Sequence, residues 1–165
     1  MEDKDGNQFT HIRKDGMPQM VNVGEKQPTQ RSAVARGNIR LPSSLPVDLS
    51  NNEIITKKGA VIQTAIIAGT QAVKKTSDII PFCHQLPLEG IRFEHKITAD
   101  RTVEMSCEVS ANYKTGVEME ALTGVTVALL TIYDMCKSAG QDMDMEDIRI
   151  VWKKGGKSDI DRTGA

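Results

Sequence analysis

An α+β fold of the ferredoxin-like kind, β-α-β-β-α-β with an antiparallel sheet and both helices packed on one face, is what this sequence predicts. Three patterns carry the prediction. Residues 58–75 place small and apolar side chains at helical spacing, two stretches of strict alternation face each other across a turn at Asp100, and residues 114–137 are apolar on every face between charged ends.

Taken in order, the first strand is read within residues 31–41 from Val34, Ile39 and Leu41, and Pro42, Pro46 and Asn51-Asn52 mark a loop after it. Val61, Ala65, Ala68 and Ala72 then define a closely packed helix that ends in Lys74-Lys75. Between residues 80 and 88, Pro81 and Pro87 exclude helix and hold Cys83 and His84 in a stiff loop. Ile91, Phe93, His95 and Ile97 alternate with Arg92, Glu94 and Lys96, and the two-residue period returns at Val103, Met105, Cys107 and Val109, which predicts a hairpin. No residue between Ala121 and Tyr133 is charged, so the second helix is expected to be covered all round, by its own core or by a neighbouring subunit. Ile148, Ile150 and Trp152 give the last strand, ahead of a Gly-rich basic end.

Composition narrows the function classes. The 165 residues suit one domain, read as residues 9–165 behind a polar, disordered tail at residues 1–8. With 21 basic against 22 acidic residues, no net positive field advertises nucleic-acid binding, and 4% aromatic residues leave few stacking platforms for RNA. Three cysteines without C-x-x-C spacing argue against a disulfide framework and a cysteine zinc site, and His11, His84 and His95 are too far apart in sequence to suggest a metal centre. The N-terminus has no apolar targeting segment, and Glu118 and Glu120 interrupt the long apolar run before it could span a bilayer, so a soluble cytoplasmic protein is expected.

Several groups could carry chemistry, and each has a plainer reading. Asp134 and Lys137 share a helix face as a carboxylate–ammonium pair, yet Lys137 also suits a helix C-terminus, as Glu118 and Glu120 suit an N-terminus. Lys58 precedes Gly59 at the expected start of the first helix, where backbone donors and a cation could hold a phosphate; it could equally be a solvated loop lysine. His84 is suited to proton transfer or to a backbone hydrogen bond. Lys153-Lys154-Gly155-Gly156-Lys157-Ser158 fits a polyphosphate or a solvated tail, and it is not a P-loop, because Val151 stands where the first glycine belongs. Arg31 reads as a lone arginine at the head of a strand.

Longer strings go further. Thr10-His11-Ile12, Met20-Val21-Asn22-Val23, Lys58-Gly59, Ile67-Ala68-Gly69, Ile80-Pro81-Phe82-Cys83-His84, Lys114-Thr115-Gly116-Val117-Glu118-Met119-Glu120-Ala121-Leu122-Thr123, Leu130-Thr131-Ile132-Tyr133-Asp134-Met135-Cys136-Lys137 and Gly155-Gly156-Lys157-Ser158 together resemble the molybdenum cofactor biosynthesis protein C family of cyclic pyranopterin monophosphate synthases. The resemblance covers nearly the whole chain. It implies a lyase that converts 3′,8-cyclo-7,8-dihydro-GTP to cyclic pyranopterin monophosphate with release of pyrophosphate. It further implies Lys58, Asp134 and Lys137 as the catalytic group, with one lysine acting as base near neutral pH, and Arg31, His84, Glu118, Met119, Glu120 and Lys157 as substrate-binding residues. It implies no cofactor required by the protein, although magnesium can arrive with the substrate triphosphate, and a hexamer of three dimers with active sites between subunits. Four positions depart from the family pattern: Ile66 for arginine, Gln85 for proline, Asn22 for aspartate and Asp159 for glycine. A silent homologue that binds without converting, and an RNA-binding module, are the rival readings.

Overall fold

A computed structural model describes residues 15–47 and 51–164 of the chain. The tail expected at residues 1–8 and the Thr10-His11-Ile12 string lie outside the described residues. Ten elements follow in order: β1 (Thr29–Arg40), β2 (Ile55–Thr56), β3 (Gly59–Ala60), α1 (Val61–Lys74), α2 (Thr76–Ile79), β4 (Leu88–Ile97), β5 (Thr102–Tyr113), α3 (Glu118–Cys136), β6 (Met145–Lys154) and β7 (Ile160–Asp161).

The main sheet runs β4-β5-β1-β6-β7, every neighbouring pair antiparallel, with α1 and α3 on one face. With β7 set aside, this is the strand order that the split β-α-β arrangement requires. β1 and β5 stay in unbroken register from Thr29↔Tyr113 to Arg40↔Thr102, which gives the sheet a straight centre. Alternation then sorts the side chains: Ala33, Ala35 and Ile39 of β1 and Val103, Met105, Cys107 and Val109 of β5 are buried against the helices, and their neighbours face away.

The two helices meet at glycines. A Cβ on Gly69 of α1 would lie 2.6 Å from Phe93 Cζ and 2.8 Å from the Gly124 carbonyl oxygen, and one on Gly124 of α3 would lie 2.5 Å from Val73 Cγ2 and 2.8 Å from Cys107 Sγ. No side chain fits at either position, so the helix backbones approach closely and Phe93 of β4 closes the wedge between them.

Five features differ from expectation. The loop after β1 contains the β2–β3 hairpin, whose strands are too short for a periodic signal. The first helix begins at Val61, leaving Lys58 in the hairpin turn, three residues short of it. A single helical turn, α2, follows Lys75, and β7 turns the Gly-rich end into an edge strand. Within this chain α3 buries Ala121, Val125, Ala128, Leu129 and Ile132 against the sheet and α1, while Leu130 is 47% exposed and Ile67 of α1 is 65% exposed on the outer side, the face that the expected cover by a neighbouring subunit would have to meet. Glu118 and Glu120 do not disqualify α3 as a span, because its length and hydropathy suffice to cross a membrane; half of the segment is instead buried inside this protein, as in a core helix.

The glycine contact has a measurable cost when filled. Alanine would raise helix propensity at Gly69 by about 1 kcal/mol, but overpacking against an immovable carbonyl costs about 1–3 kcal/mol. Gly69→Ala is therefore expected to lower stability by up to about 2 kcal/mol, read as a lower urea midpoint at unchanged m-value. An unchanged midpoint would show that the two helices have slack where they cross.

Candidate active site

At the C-terminal end of α3, Asp134 stands between two lysines. Its Oδ2 accepts from Lys58 Nζ at 3.0 Å and its Oδ1 from Lys137 Nζ at 2.8 Å, and Lys58 Nζ also reaches the Asp134 carbonyl at 2.8 Å. The Lys137 and Lys58 ammoniums hold the Asp134 carboxyl down at about 2. In return, Asp134 raises the pKa of Lys137, which opposes the idea that Lys137 loses its proton easily here. All three side chains are about half exposed, at 48%, 57% and 51% for Lys58, Asp134 and Lys137, so solvent weakens their attraction and leaves room for a ligand.

The turn that carries Lys58 is fastened from both sides. Asn52 Oδ1 accepts from Ile97 N at 3.0 Å and the Asn52 carbonyl receives His95 Nε2 at 2.8 Å, which ties the segment to β4. Glu53 ties it to α1, its Oε1 accepting from Ile62 N at 2.8 Å and its Oε2 from Gln63 N at 3.2 Å. This carboxylate occupies the positive end of α1, the place where the sequence allowed either a phosphate beside Lys58 or a solvated loop lysine. Lys58 faces Asp134 instead.

At the other end of α3 lies a groove made of two adjoining cavities. One, of about 390 Å³, is lined by Val21, Phe82, Cys83, His84, Met119 and Glu120. The other, of about 500 Å³, is lined by Lys26, Arg31, Lys114, Lys153, Lys154 and Lys157. Lys26, Thr115, Gly116 and Glu118 border both, so the two cavities adjoin, and most of the cations line only the second.

Each wall has a local cause. His84 Nε2 donates to the Val21 carbonyl at 2.8 Å and Lys114 Nζ to the Gly24 carbonyl at 2.6 Å, which straps the segment before β1 across the opening. His84 thus makes the backbone bond of its plainer reading, to a residue distant in sequence. Arg31 Nε donates to the Tyr113 carbonyl at 3.3 Å. Gly155 must be glycine: its φ is +89°, and a Cβ would sit 1.8 Å from the Gln30 carbonyl oxygen. Asp159, one of the departures from the family pattern, accepts from Gly155 N at 3.3 Å and braces that turn. Asn22, another, accepts from Gly24 N at 2.8 Å, and Ile66 packs its apolar side chain against the core.

Glu118 and Glu120 have separate fates. Glu118 Oε1 pairs with Lys153 Nζ at 2.9 Å, a partner that sequence reading missed because β6 delivers it from 35 residues away. Glu120 is 4% exposed and forms no ion pair among the described residues, and burial pushes its pKa up to about 7, with Glu118 adding to the rise. Lys26 and Lys114 were also not singled out. Lys114 opens the string that holds Glu118 and Glu120, whereas Lys26 carried no signal.

Structure therefore divides the expected site residues into two sets. Arg31, His84, Glu118, Met119, Glu120 and Lys157 line the groove; Lys58, Asp134 and Lys137 do not. The sixteen-residue separation of Glu118 from Asp134 amounts to about 24 Å along α3.

Comparison with known proteins bears on this arrangement. Residues 20–156 match the MoaC family. The chain is 48% identical over 159 residues to the "Molybdenum cofactor biosynthesis bifunctional protein" of Synechocystis sp., covering 94% of this chain but 46% of that relative, so it spans about half of the longer protein. It is 45% identical over 152 residues to the "Cyclic pyranopterin monophosphate synthase" of Xanthomonas oryzae pv. oryzae, 92% of each chain. It is 48% identical over 153 residues to the protein of the same name from Novosphingobium aromaticivorans, covering 92% of this chain and 95% of that one.

The two carboxylates predict opposite pH behaviour. Glu120 binds its proton more tightly folded than unfolded, so its contribution to stability is complete below the ordinary 4.5 and is lost as pH rises through about 7. Glu120→Gln cannot ionise, and its Tm relative to wild type should rise by a few degrees between about pH 5 and about pH 8. Asp134, with a depressed pKa, contributes above the ordinary 3.8 and loses that contribution as pH falls toward about 2, so the Tm deficit of Asp134→Asn should hold steady near neutrality and shrink only on the acid side. A Tm difference for Glu120→Gln that ignores pH would refute the first assignment.

Proposed function

The chain belongs to the MoaC family, and we propose that it acts as a cyclic pyranopterin monophosphate synthase, a lyase of molybdenum cofactor biosynthesis that converts 3′,8-cyclo-7,8-dihydro-GTP to cyclic pyranopterin monophosphate and pyrophosphate. The observation that carries the reading is the two-ended groove. One end offers His84, Glu118 and Glu120 to a ring and ribose rich in donors and acceptors, with Met119 between the two carboxylates. The other gathers Lys26, Arg31, Lys114, Lys153, Lys154 and Lys157, as a triphosphate and its departing pyrophosphate require.

Chemistry follows from that polarity. A hydroxyl attacks the α-phosphate while the bond to the β-phosphate oxygen breaks, and Arg31 and Lys157 stabilise the charge that accumulates on the leaving group. Asp134 remains ionised at neutral pH and orients Lys58 and Lys137; Lys137, its pKa raised, enters as the protonated partner and hands over a proton, while Lys58 lies against the reacting substrate. The protein needs no cofactor for these steps, and magnesium held by the triphosphate requires no dedicated protein ligand.

Lys58, Asp134 and Lys137 can join the groove only from a second copy. The exposed apolar side chains Ile67 and Leu130, on the outer side of α1 and α3, support assembly, and the family resemblance favours a homohexamer of three dimers with sites between subunits. The enzyme works in the cytoplasm on a small nucleotide-derived substrate, with neither nucleic acid nor membrane as partner.

Single-turnover conversion of 3′,8-cyclo-7,8-dihydro-GTP, followed through pyrophosphate and pterin product, tests the reaction. Lys58→Ala and Lys137→Ala should each lose roughly 10²–10⁴-fold in rate with fold and assembly intact. A wild type that binds substrate and releases no pyrophosphate would establish the silent-homologue reading. Shared sites make a further demand: mixing inactive Lys58→Ala with inactive Arg31→Ala subunits should restore about a quarter of wild-type sites, whereas sites contained in one chain would restore none.

A further inference from the structure

Glu120 is a carboxylate of the groove that forms no ion pair among the described residues. It occupies the third position of α3, where the helix dipole favours an anion, yet it is 4% exposed and has lost most of its contact with water. The groups around it are accounted for. Glu118, on the same helix, is held by Lys153 of β6 at 2.9 Å. Cys83, from the proline-held loop, is a neutral thiol whose pKa burial and Glu120 both raise. His84 gives its Nε2 proton to the Val21 carbonyl, so Nε2 is a donor already in use and Nδ1 is the ring atom left to meet a ligand. Lys26 borders the cavity without forming an ion pair to Glu120 among the described residues. Two carboxyls two residues apart are thereby set in different surroundings, one paired with an ammonium, the other without an ion pair among the described residues and holding its proton more tightly than an ordinary glutamate.

Resting on the synthase reading, we propose that Glu120 is the catalytic acid–base of the ring rearrangement. As the neutral acid it gives its proton to a ring nitrogen as that carbon–nitrogen bond breaks. The broken bond's electron pair goes to that nitrogen, and the carbon it leaves becomes an iminium held by the lone pair of its other nitrogen. When the new ring closes, a nitrogen adds to the electrophilic carbon, which removes the positive charge, and gives its proton to the Glu120 carboxylate. Protons balance over the cycle, and no co-reactant is consumed. Its pKa, pushed up to about 7, lets both forms be populated near neutrality. Phosphoryl displacement and pyrophosphate release belong to the cationic end and need nothing from Glu120.

Three preparations test this under single-turnover conditions: wild type, Glu120→Gln and Glu120→Asp. Glu120→Gln keeps size and hydrogen bonding but exchanges no proton; we expect the ring-rearrangement rate to fall by about 100-fold or more, KM to change little, and the pH–rate limb near neutrality to disappear. Glu120→Asp should recover part of the rate and the limb together. A Glu120→Gln enzyme that keeps its rate and limb and only raises KM would make Glu120 a binding group and overturn the proposal. Wild-type protein that converts nothing would overturn the synthase reading, and the proposal with it. Should Glu120→Gln fail to fold, carbon-13 NMR of the wild-type glutamate carboxyls decides: a titration near neutrality supports the role, and an ordinary glutamate titration refutes it.

Discussion

The close approach of α1 to α3 at Gly69 and Gly124 sets the geometry on which the rest depends. With no Cβ at either position, the helices settle against each other and against β4 and β5, and Phe93 fills the wedge they leave. That contact fixes the height and direction of α3 over the sheet. Its first turn then falls beside the loop that holds His84 and the turn after β6, and its last turn beside Lys58. A few ångströms of added separation would shift both ends at once, because a helix transmits displacement as a rod.

Electrostatics completes what packing begins. The middle of α3 contributes no charge, so every ionisable group it carries is at an end. At the C-terminal end, one carboxylate between two half-exposed ammoniums makes a cluster that is stable in water and still open to a ligand. At the N-terminal end, six cations converge from the strap before β1, from β1 itself, from the loop before α3 and from the end of β6 and the turn beyond it, and Glu118 compensates one of them. So many like charges in one groove repel one another, and a polyanion relieves the strain.

Sheet and helices were legible because periodicity is local. Alternation along β4 and β5 and the uncharged run of α3 can be read without knowing what they touch, and the strand order β4-β5-β1-β6 followed from element order alone. What escaped was set by contacts distant in sequence or by elements too short to repeat. The β2–β3 hairpin has two residues per strand, and Glu53 caps α1 from across it. Lys153 meets Glu118, and Val21 meets His84, through the fold. The separation of the two residue sets was implicit in the sequence all along, since Glu118 and Asp134 stand sixteen positions apart on one continuous helix. Reading them as parts of one site is consistent only if two chains supply it.

Glu118 and Glu120 show how little backbone is needed to make two different acids. Two residues along a helix is a rotation of about 200°, so the neighbouring carboxylates leave α3 on nearly opposite sides. The helix dipole acts on both alike and cannot distinguish them. Burial can. Glu118 meets the ammonium of Lys153, whereas Glu120 is buried beside a cavity lined by Val21, Lys26, Phe82, His84 and Met119 and forms no ion pair among the described residues, so desolvation raises its pKa. Because the desolvation of Glu120 outweighs what its backbone hydrogen bond returns, the first turn of α3 presents an ion-paired carboxylate and one that exchanges its proton near neutrality within one groove, each set by surroundings that the other does not share.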